Sequence, residues 1–393
     1  MKKIGVLLST EPYWGGAFQY DQSILDAVAS LPKDEFRINI FYVHDEWEDY
    51  LKKYEFINKK VTDSKKTNFF SKVVRRLLGI FGLPLSKATK ILKHIDIFGK
   101  NFVGLDLMIF PAQEYYAGII EGKSISVIHD LMHRYENFPE VCANGIFAYR
   151  EIQYKTICES SKLIFVDSNI GKNQVAECYG QEYLTKVRVL PFAPPKYLFD
   201  DGIVLSNDLA QGLPDKFIFY PAQFWEHKNH KNLILAIKYL KDKGIDIKMI
   251  FVGSKKNGYD FAINLIKELG LADNISVLGY VDDASMRYLY KHARAMVMAS
   301  KMGPTNIPPL EGMAMGCPVA VANVYAMPWQ VGDAGLVFDP YNVESMAEVI
   351  ERLWIDDALC EELKVKGHKQ IENFTQEKFN ERFVKYVREA LEM

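Results

Sequence analysis

The chain has 393 residues, with 49% hydrophobic and 25% charged side chains and a formal net charge of -2. That length exceeds what one hydrophobic core usually supports, so two domains are expected, and the near-neutral charge supplies no global field to hold nucleic acid. The five cysteines, Cys142, Cys158, Cys178, Cys317 and Cys360, are far apart with no CxxC pair or Cys/His cluster, which argues against a metal site and fits a reducing, cytoplasmic compartment.

Taken in chain order, the start MKKIGVLLSTEP pairs two lysines with an apolar run confined to 4–8, too short for a signal peptide. No apolar run reaches the roughly 18 residues that would suggest a membrane span. Short runs rich in Val, Ile and Phe at 4–8, 38–43, 107–110, 125–128, 163–166 and 187–190 predict buried strands. A second series falls at 217–220, 248–252, 275–278, 295–298, 318–320 and 335–338. Each run is followed by a turn signal or a helical pattern, and that alternation predicts parallel sheets covered by helices on both faces. The cluster Pro191, Pro194 and Pro195 in LPFAPPKYLFDDG reads as a stiff linker outside either core. Residues 1–195 and 205–375 are therefore expected as two Rossmann-like, doubly wound domains facing a cleft, a usual place for small-molecule binding. The amphipathic pattern from 376 to the C-terminus is a candidate to cross back to the first domain.

Segment 59–81 stands apart. It interleaves Lys59, Lys60, Lys65, Lys66, Lys72, Arg75 and Arg76 with Phe69, Phe70, Val73, Val74, Leu77, Leu78, Ile80 and Phe81. A basic amphipathic helix of that composition can lie on an anionic membrane surface, at the inner face of the cell membrane, and the segment is a candidate peripheral contact. The alternative is a surface helix that packs its apolar side on the domain.

Three stretches could carry chemistry. In GPTNIPPLEGMAMGCP (303–318), Asn306 is a candidate N-cap, Pro308 and Pro309 suit a first helical turn, and the amides ahead of the helix can meet an anion such as a diphosphate. Glu311 then sits in the first turns, where a carboxylate can accept from two ribose hydroxyls; an ordinary capped helix is the bland alternative. In YPAQFWEHKNHKNLILAI (220–237), Lys228 lies in a polar loop at the mouth of the second sheet, placed to neutralise a leaving diphosphate, although a loop lysine is more often simply solvated. In the first half, Gly15 and Gly16 precede a helix beginning about Ala17, and His129 and Asp130 follow a buried strand at the edge where open α/β sheets bind ligands. A histidine there is also often structural.

In this order the pieces resemble glycosyltransferase family 4, a group of retaining GT-B enzymes. The resemblance runs over nearly the whole chain, through GG near the start, VIHD, VDSN, LPFAPP, HKN, VG, LGYVDD, GPTNIPPLEGMAMGCPV and GDAGLVFDP. It implies a nucleotide-sugar donor, no metal or other cofactor, and retention of anomeric configuration. It places Lys228 at the donor diphosphate, Glu311 on the nucleotide ribose, and Thr305, Asn306 and Ile307 beside the sugar and phosphates. Val281 falls where relatives contact the base through the backbone, His129 near the transferred sugar, and Gly16 in a glycine loop facing the phosphate. Two departures stand out: Gly303 occupies the position of a frequent first glutamate, and Ala222–Gln223 replaces a frequent arginine. The GPTNIPPLE wording looks like a subgroup pattern.

The implied reaction is hexosyl transfer to a saccharide or lipid-linked saccharide in surface glycan assembly. A catalytically silent binding protein of the same fold, a nucleotide-sugar epimerase and a sugar phosphorylase are the alternatives; no pyridoxal-phosphate lysine motif supports the last.

Overall fold

The computed structural model describes residues 1–12, 15–61, 98–200 and 212–393. Positions 62–97, which hold most of the basic segment, lie outside the described residues. The chain divides into two units, Met1–Phe192 with Gln376–Met393, and Ala193–Thr375.

The first unit is built on seven parallel strands: β1 (Lys2–Leu8), β2 (Phe36–Tyr42), β3 (Ile57–Lys60), β4 (Leu107–Phe110), β5 (Lys123–Val127), β6 (Leu163–Val166) and β7 (Val187–Val189). Their order in the sheet is β3-β2-β1-β4-β5-β6-β7. The inner strands β4 and β6 are apolar along both faces because helices cover both, while β5 buries Ser124 and Ser126 on one face. Among these helices are α1 (Gly16–Ala29), α2 (Ile146–Ser160) and α3 (Asn169–Tyr179). The unexpected strand is β3. Its sequence, INKK, is exposed throughout and carries no apolar signal. Lysines suit such an edge because charge discourages a further strand from pairing there. Lys59 donates to Asn101 Oδ1 at 3.1 Å and Lys60 pairs with Asp45, so these two lysines belong to a strand and not to the expected basic helix.

The second unit holds six parallel strands, β8 (Ile218–Pro221), β9 (Met249–Val252), β10 (Ile275–Gly279), β11 (Ala295–Met298), β12 (Val319–Ala322) and β13 (Gly335–Phe338), in the order β10-β9-β8-β11-β12-β13. Its main helices are α4 (His230–Asp242), α5 (Tyr259–Glu268), α6 (Asp283–His292), α7 (Ile307–Ala314), α8 (Met327–Val331), α9 (Val343–Ile355) and α10 (Asp357–Ile371). Both sheets reverse direction of strand addition after their first three strands, between β1 and β4 and between β8 and β11. At such a reversal the loops leaving the carboxyl ends of the two strands diverge to opposite faces and open a crevice.

The last helix, α11 (Gln376–Glu392), returns to the first unit. Phe379, Phe383, Val387 and Ala390 form its buried stripe, at the spacing one helical face requires. Phe383 meets Phe165 at 6.1 Å, Gln376 donates to the Ser23 carbonyl at 3.1 Å, and Arg188 pairs with Glu389. The proline-rich stretch differs from a linker outside both cores. Leu198 is fully buried and the Tyr197 hydroxyl bonds Glu311, which makes the segment after Pro195 a working part of the second unit.

Candidate active site

In the second unit the loop leaving β8 (222–229) and the loop leaving β11 (299–306) meet at the strand-order reversal. Lys228 Nζ donates to Asn306 Oδ1 at 2.9 Å. The lysine ends a single 3-10 turn, Glu226–Lys228, and the chain then reverses at Asn229 with φ of 63° to enter α4. Asparagine tolerates that left-handed backbone better than most residues, and its amide ties the loop to the Ala299 carbonyl at 3.3 Å and the Pro340 carbonyl at 2.9 Å. Behind it, the His230 ring stacks on Phe224 with centroids 4.1 Å apart, and burial drives its pKa down to about 3. His230 is therefore a neutral packing residue. The sequence repeats HKN in direct succession, but Lys231 lies exposed on α4 over the Phe261 ring. Of the two lysines, Lys228 is the one that reaches Asn306.

The VG pair after β9 has a steric reason. A Cβ on Gly253, whose φ is +154°, would sit 2.2 Å from the Ala222 carbonyl oxygen. Glycine lets the two loops pack backbone to backbone and so sets the height of the Lys228 loop.

Thr305, Asn306 and Ile307 are all buried. Asn306 takes the N-cap position of α7 with extended backbone (φ -138°, ψ 146°), yet its side chain makes no capping bond; the amide is committed to Lys228. Pro308 and Pro309 follow Ile307 in the first turn, so of the first three helical residues only Ile307 carries an N–H. The expected row of amides facing an anion is correspondingly short, and more of any phosphate recognition falls to Lys228. Gly303 has φ of +102°, and a Cβ there would lie 3.1 Å from the Thr305 carbonyl and 3.2 Å from Asn306 Nδ2. The missing first glutamate is thus more than a deleted side chain, because the backbone itself is shaped for glycine.

Glu311, one turn into α7, is 6% exposed. Tyr197 donates to its Oε1 at 2.9 Å and Tyr290, from α6, to its Oε2 at 2.5 Å. Burial pushes the carboxyl up to about 7, against the pull of the two phenols. One donor per oxygen leaves each with a remaining lone pair, so the group can still accept from two further hydroxyls. Val281 is half-buried in the turn between β10 and α6. Asp282 fixes that turn by accepting from the Ser285 amide at 2.8 Å.

In the first unit Gly15 (φ 62°, ψ -134°) caps α1, which opens at Gly16, and both glycines are exposed. His129 follows β5, and its Nε2 lies 3.0 Å from the Pro111 carbonyl oxygen. A carbonyl only accepts, so Nε2 carries the proton and Nδ1 is the acceptor. Burial lowers the ring's pKa to about 4, and Tyr20 meets it edge-on at 4.8 Å. Gln113 Oε1 accepts from the amides of His129 at 3.0 Å and Asp130 at 3.3 Å. Arg150 grips Asp130 at two points, 2.6 and 3.2 Å. Burial alone would raise the Asp130 carboxyl, but this guanidinium and the Met132 amide hold it below its usual range.

Among the described residues no cluster of His, Cys, Asp or Glu is arranged to hold a metal ion, and no helix is long and apolar enough to cross a membrane.

Two parallel-sheet Rossmann-like units of this kind are those of the GT-B fold. Residues 205–370 match the family model for glycosyl transferases group 1, and the chain is a glycosyltransferase. It is 26% identical to O-antigen chain mannosyltransferase B of Escherichia coli over 279 residues, 68% of this chain and 71% of that protein. It is 23% identical to the serotype-specific mannosyltransferase WbdA of Escherichia coli over 64% of this chain, and the match spans 32% of the length of WbdA. The fold superposes on the crystal structure of Anabaena HepE in complex with UDP-glucose with a TM-score of 0.72 at 15% identity, covering 99% of this chain and 100% of that one.

Proposed function

We propose that the chain transfers a hexosyl group, with retention and without a metal, from a nucleotide sugar held by the second unit to a saccharide or lipid-linked saccharide during surface polysaccharide assembly. The mannosyltransferase names of its relatives make nucleotide-linked mannose the first donor to test. The observation that carries the reading is the meeting of Lys228 and Asn306 at 2.9 Å across the strand-order reversal, with Glu311 one turn further along α7.

In this reading Lys228 and the Ile307 amide receive the diphosphate, Thr305 and Asn306 lie beside the phosphates and sugar, and Glu311 accepts from the ribose hydroxyls. Val281 meets the base through its backbone. In the first unit, Gly16 and His129, whose Nδ1 is an acceptor, are the residues to test for a part in phosphate and sugar recognition. As the bond between the anomeric carbon and the phosphate oxygen breaks, negative charge gathers on the diphosphate, where Lys228 stabilises it. The acceptor hydroxyl attacks the oxocarbenium-like carbon from the face of departure, and its proton passes to a phosphate oxygen. Lys228 then does the work that a divalent cation does elsewhere.

The test is a thermal-shift series with UDP, GDP, ADP and dTDP and their sugars, followed by turnover in EDTA. A diphosphate present at about one hundred times its Kd adds about 2.7 kcal/mol of stability, enough to move the melt by several degrees. A melt unmoved by all four, or turnover abolished by EDTA, contradicts the reading.

A further inference from the structure

The 303–306 loop departs from the family pattern at Gly303, and the short helix α8 touches it at three places. The Ala326 amide donates to the Pro304 carbonyl at 2.7 Å. Gln330 is 1% exposed and clasps the Asn306 backbone from both sides: the Asn306 amide donates to Gln330 Oε1 at 3.2 Å, and Gln330 Nε2 donates to the Asn306 carbonyl at 2.7 Å. Met327, three residues earlier and on the same face of α8, receives Asn306 Nδ2 at 3.3 Å from its sulfur. Gln330 is in turn held from behind, where Gln370 Nε2 donates to its carbonyl at 3.0 Å.

These contacts settle which way the Asn306 amide points. With Nδ2 against the Met327 sulfur, Oδ1 is left facing Lys228. We infer that Gln330 is a positioning residue for donor binding, acting through Asn306 to hold the Lys228 ammonium where a diphosphate is received. The inference rests on the reading of Lys228 given above. Glutamine is the residue type for the task because it offers one acceptor and one donor to a single peptide unit. Asparagine suits the next link for a different reason. An amide oxygen orients an ammonium by a charge-assisted hydrogen bond without cancelling its charge, whereas a carboxylate there would neutralise the lysine and repel phosphate. Lysine has a long, rotatable stem, so an external tether restricts the rotamers that would otherwise be lost on binding.

The experiment compares UDP, GDP, ADP and dTDP with their four nucleosides by calorimetry, on wild type, Gln330→Met, Asn306→Ala and Lys228→Ala. The quantity read is the preference for diphosphate over the matching nucleoside. Lys228→Ala should abolish most of the preference. Gln330→Met, which keeps length but neither hydrogen bond, should lower it about five-fold or more while leaving nucleoside affinity unchanged, the scale of one lost buried hydrogen bond. Asn306→Ala should do the same with the Gln330 clasp intact; if Gln330→Met does not fold, Gln330→Glu, which keeps the acceptor and loses the donor, takes its place and should also lower the preference. A merely structural Gln330 would lower the melt and weaken nucleoside and diphosphate together. Full preference in Asn306→Ala and Gln330→Met alongside its loss in Lys228→Ala overturns the inference and spares the Lys228 reading. Full preference in Lys228→Ala, or no diphosphate binding by wild type, overturns both.

Discussion

The two units reverse strand order at the same point in their sheets, yet the polar residues at the second reversal and those one strand beyond the first, after β5, are used in opposite ways. In the first unit, Asp130 is locked by Arg150 and the His129 proton is given to the Pro111 carbonyl. Asp130 and Arg150 satisfy one another, and His129 is left as a neutral ring acceptor. In the second unit, Lys228 is oriented by an amide oxygen and Glu311 by two phenols. These neutral partners fix direction without themselves cancelling charge. On the proposed reading, one fold carries a neutral ring acceptor in the first unit and a charged receptor at the reversal of the second.

The sharpest way to break that contrast is to remove the charges from the second unit. Glu311→Ala deletes an acceptor for two hydroxyls and should weaken donor binding by about 1.5–3 kcal/mol, measured by calorimetry. Glu311→Gln, keeping one acceptor, should weaken it less. Lys228→Ala should lower turnover at saturating donor at least ten-fold, about 1.4 kcal/mol of barrier. Unchanged turnover would remove Lys228 from the leaving-group site.

The raised Glu311 pKa makes a smaller prediction, with a defined sign. A carboxyl at about 7 in the fold and near 4.5 unfolded binds its proton more tightly when folded, so its contribution to stability is lost as pH rises from 4.5 to 7. Above pH 7 the wild type carries that cost in full and Glu311→Gln does not. The variant should be more stable by about 1–3 kcal/mol at pH 8, with the difference shrinking towards pH 5 in urea titrations. Nucleoside binding should run the other way, falling as pH drops through 7, because ribose hydroxyls need the ionised form. The smallest effect belongs to the first unit. With the His129 pKa at about 4, the ring stays neutral from pH 6 to 8. His129→Asn should then change activity by a similar factor at both pH values, and a pH-dependent defect would mean that the ring titrates in that range.

Much of the architecture was legible in the sequence because buried parallel strands announce themselves as short apolar runs; 107–110, 163–166, 295–298 and 335–338 match the observed strands end to end. β3 was not legible. Its four residues are exposed, so neither apolar content nor alternation marks them, and the density of lysines suggested a basic helix instead. At the site, Lys228, Asn306 and Glu311 were legible from motif order, since strand end, loop and helix start put them on one sheet edge. Their partners were not. Gln330 lies 24 residues beyond Asn306, in a stretch without a motif, and Tyr197 and Tyr290 gain their roles only when the chain brings them to the same carboxylate. Gly303 was read as a lost glutamate; only its positive φ shows that the backbone requires the glycine.

The most direct test of the charged-receptor account is a side-by-side calorimetric titration of wild type, Glu311→Ala and Lys228→Ala with nucleoside, nucleoside diphosphate and nucleotide sugar. The account predicts that Glu311→Ala weakens all three ligands by the same factor, because all share the ribose. It predicts that Lys228→Ala weakens the two phosphorylated ligands and leaves the nucleoside alone. A Glu311→Ala defect confined to the nucleotide sugar would place the carboxylate on the sugar and contradict the account.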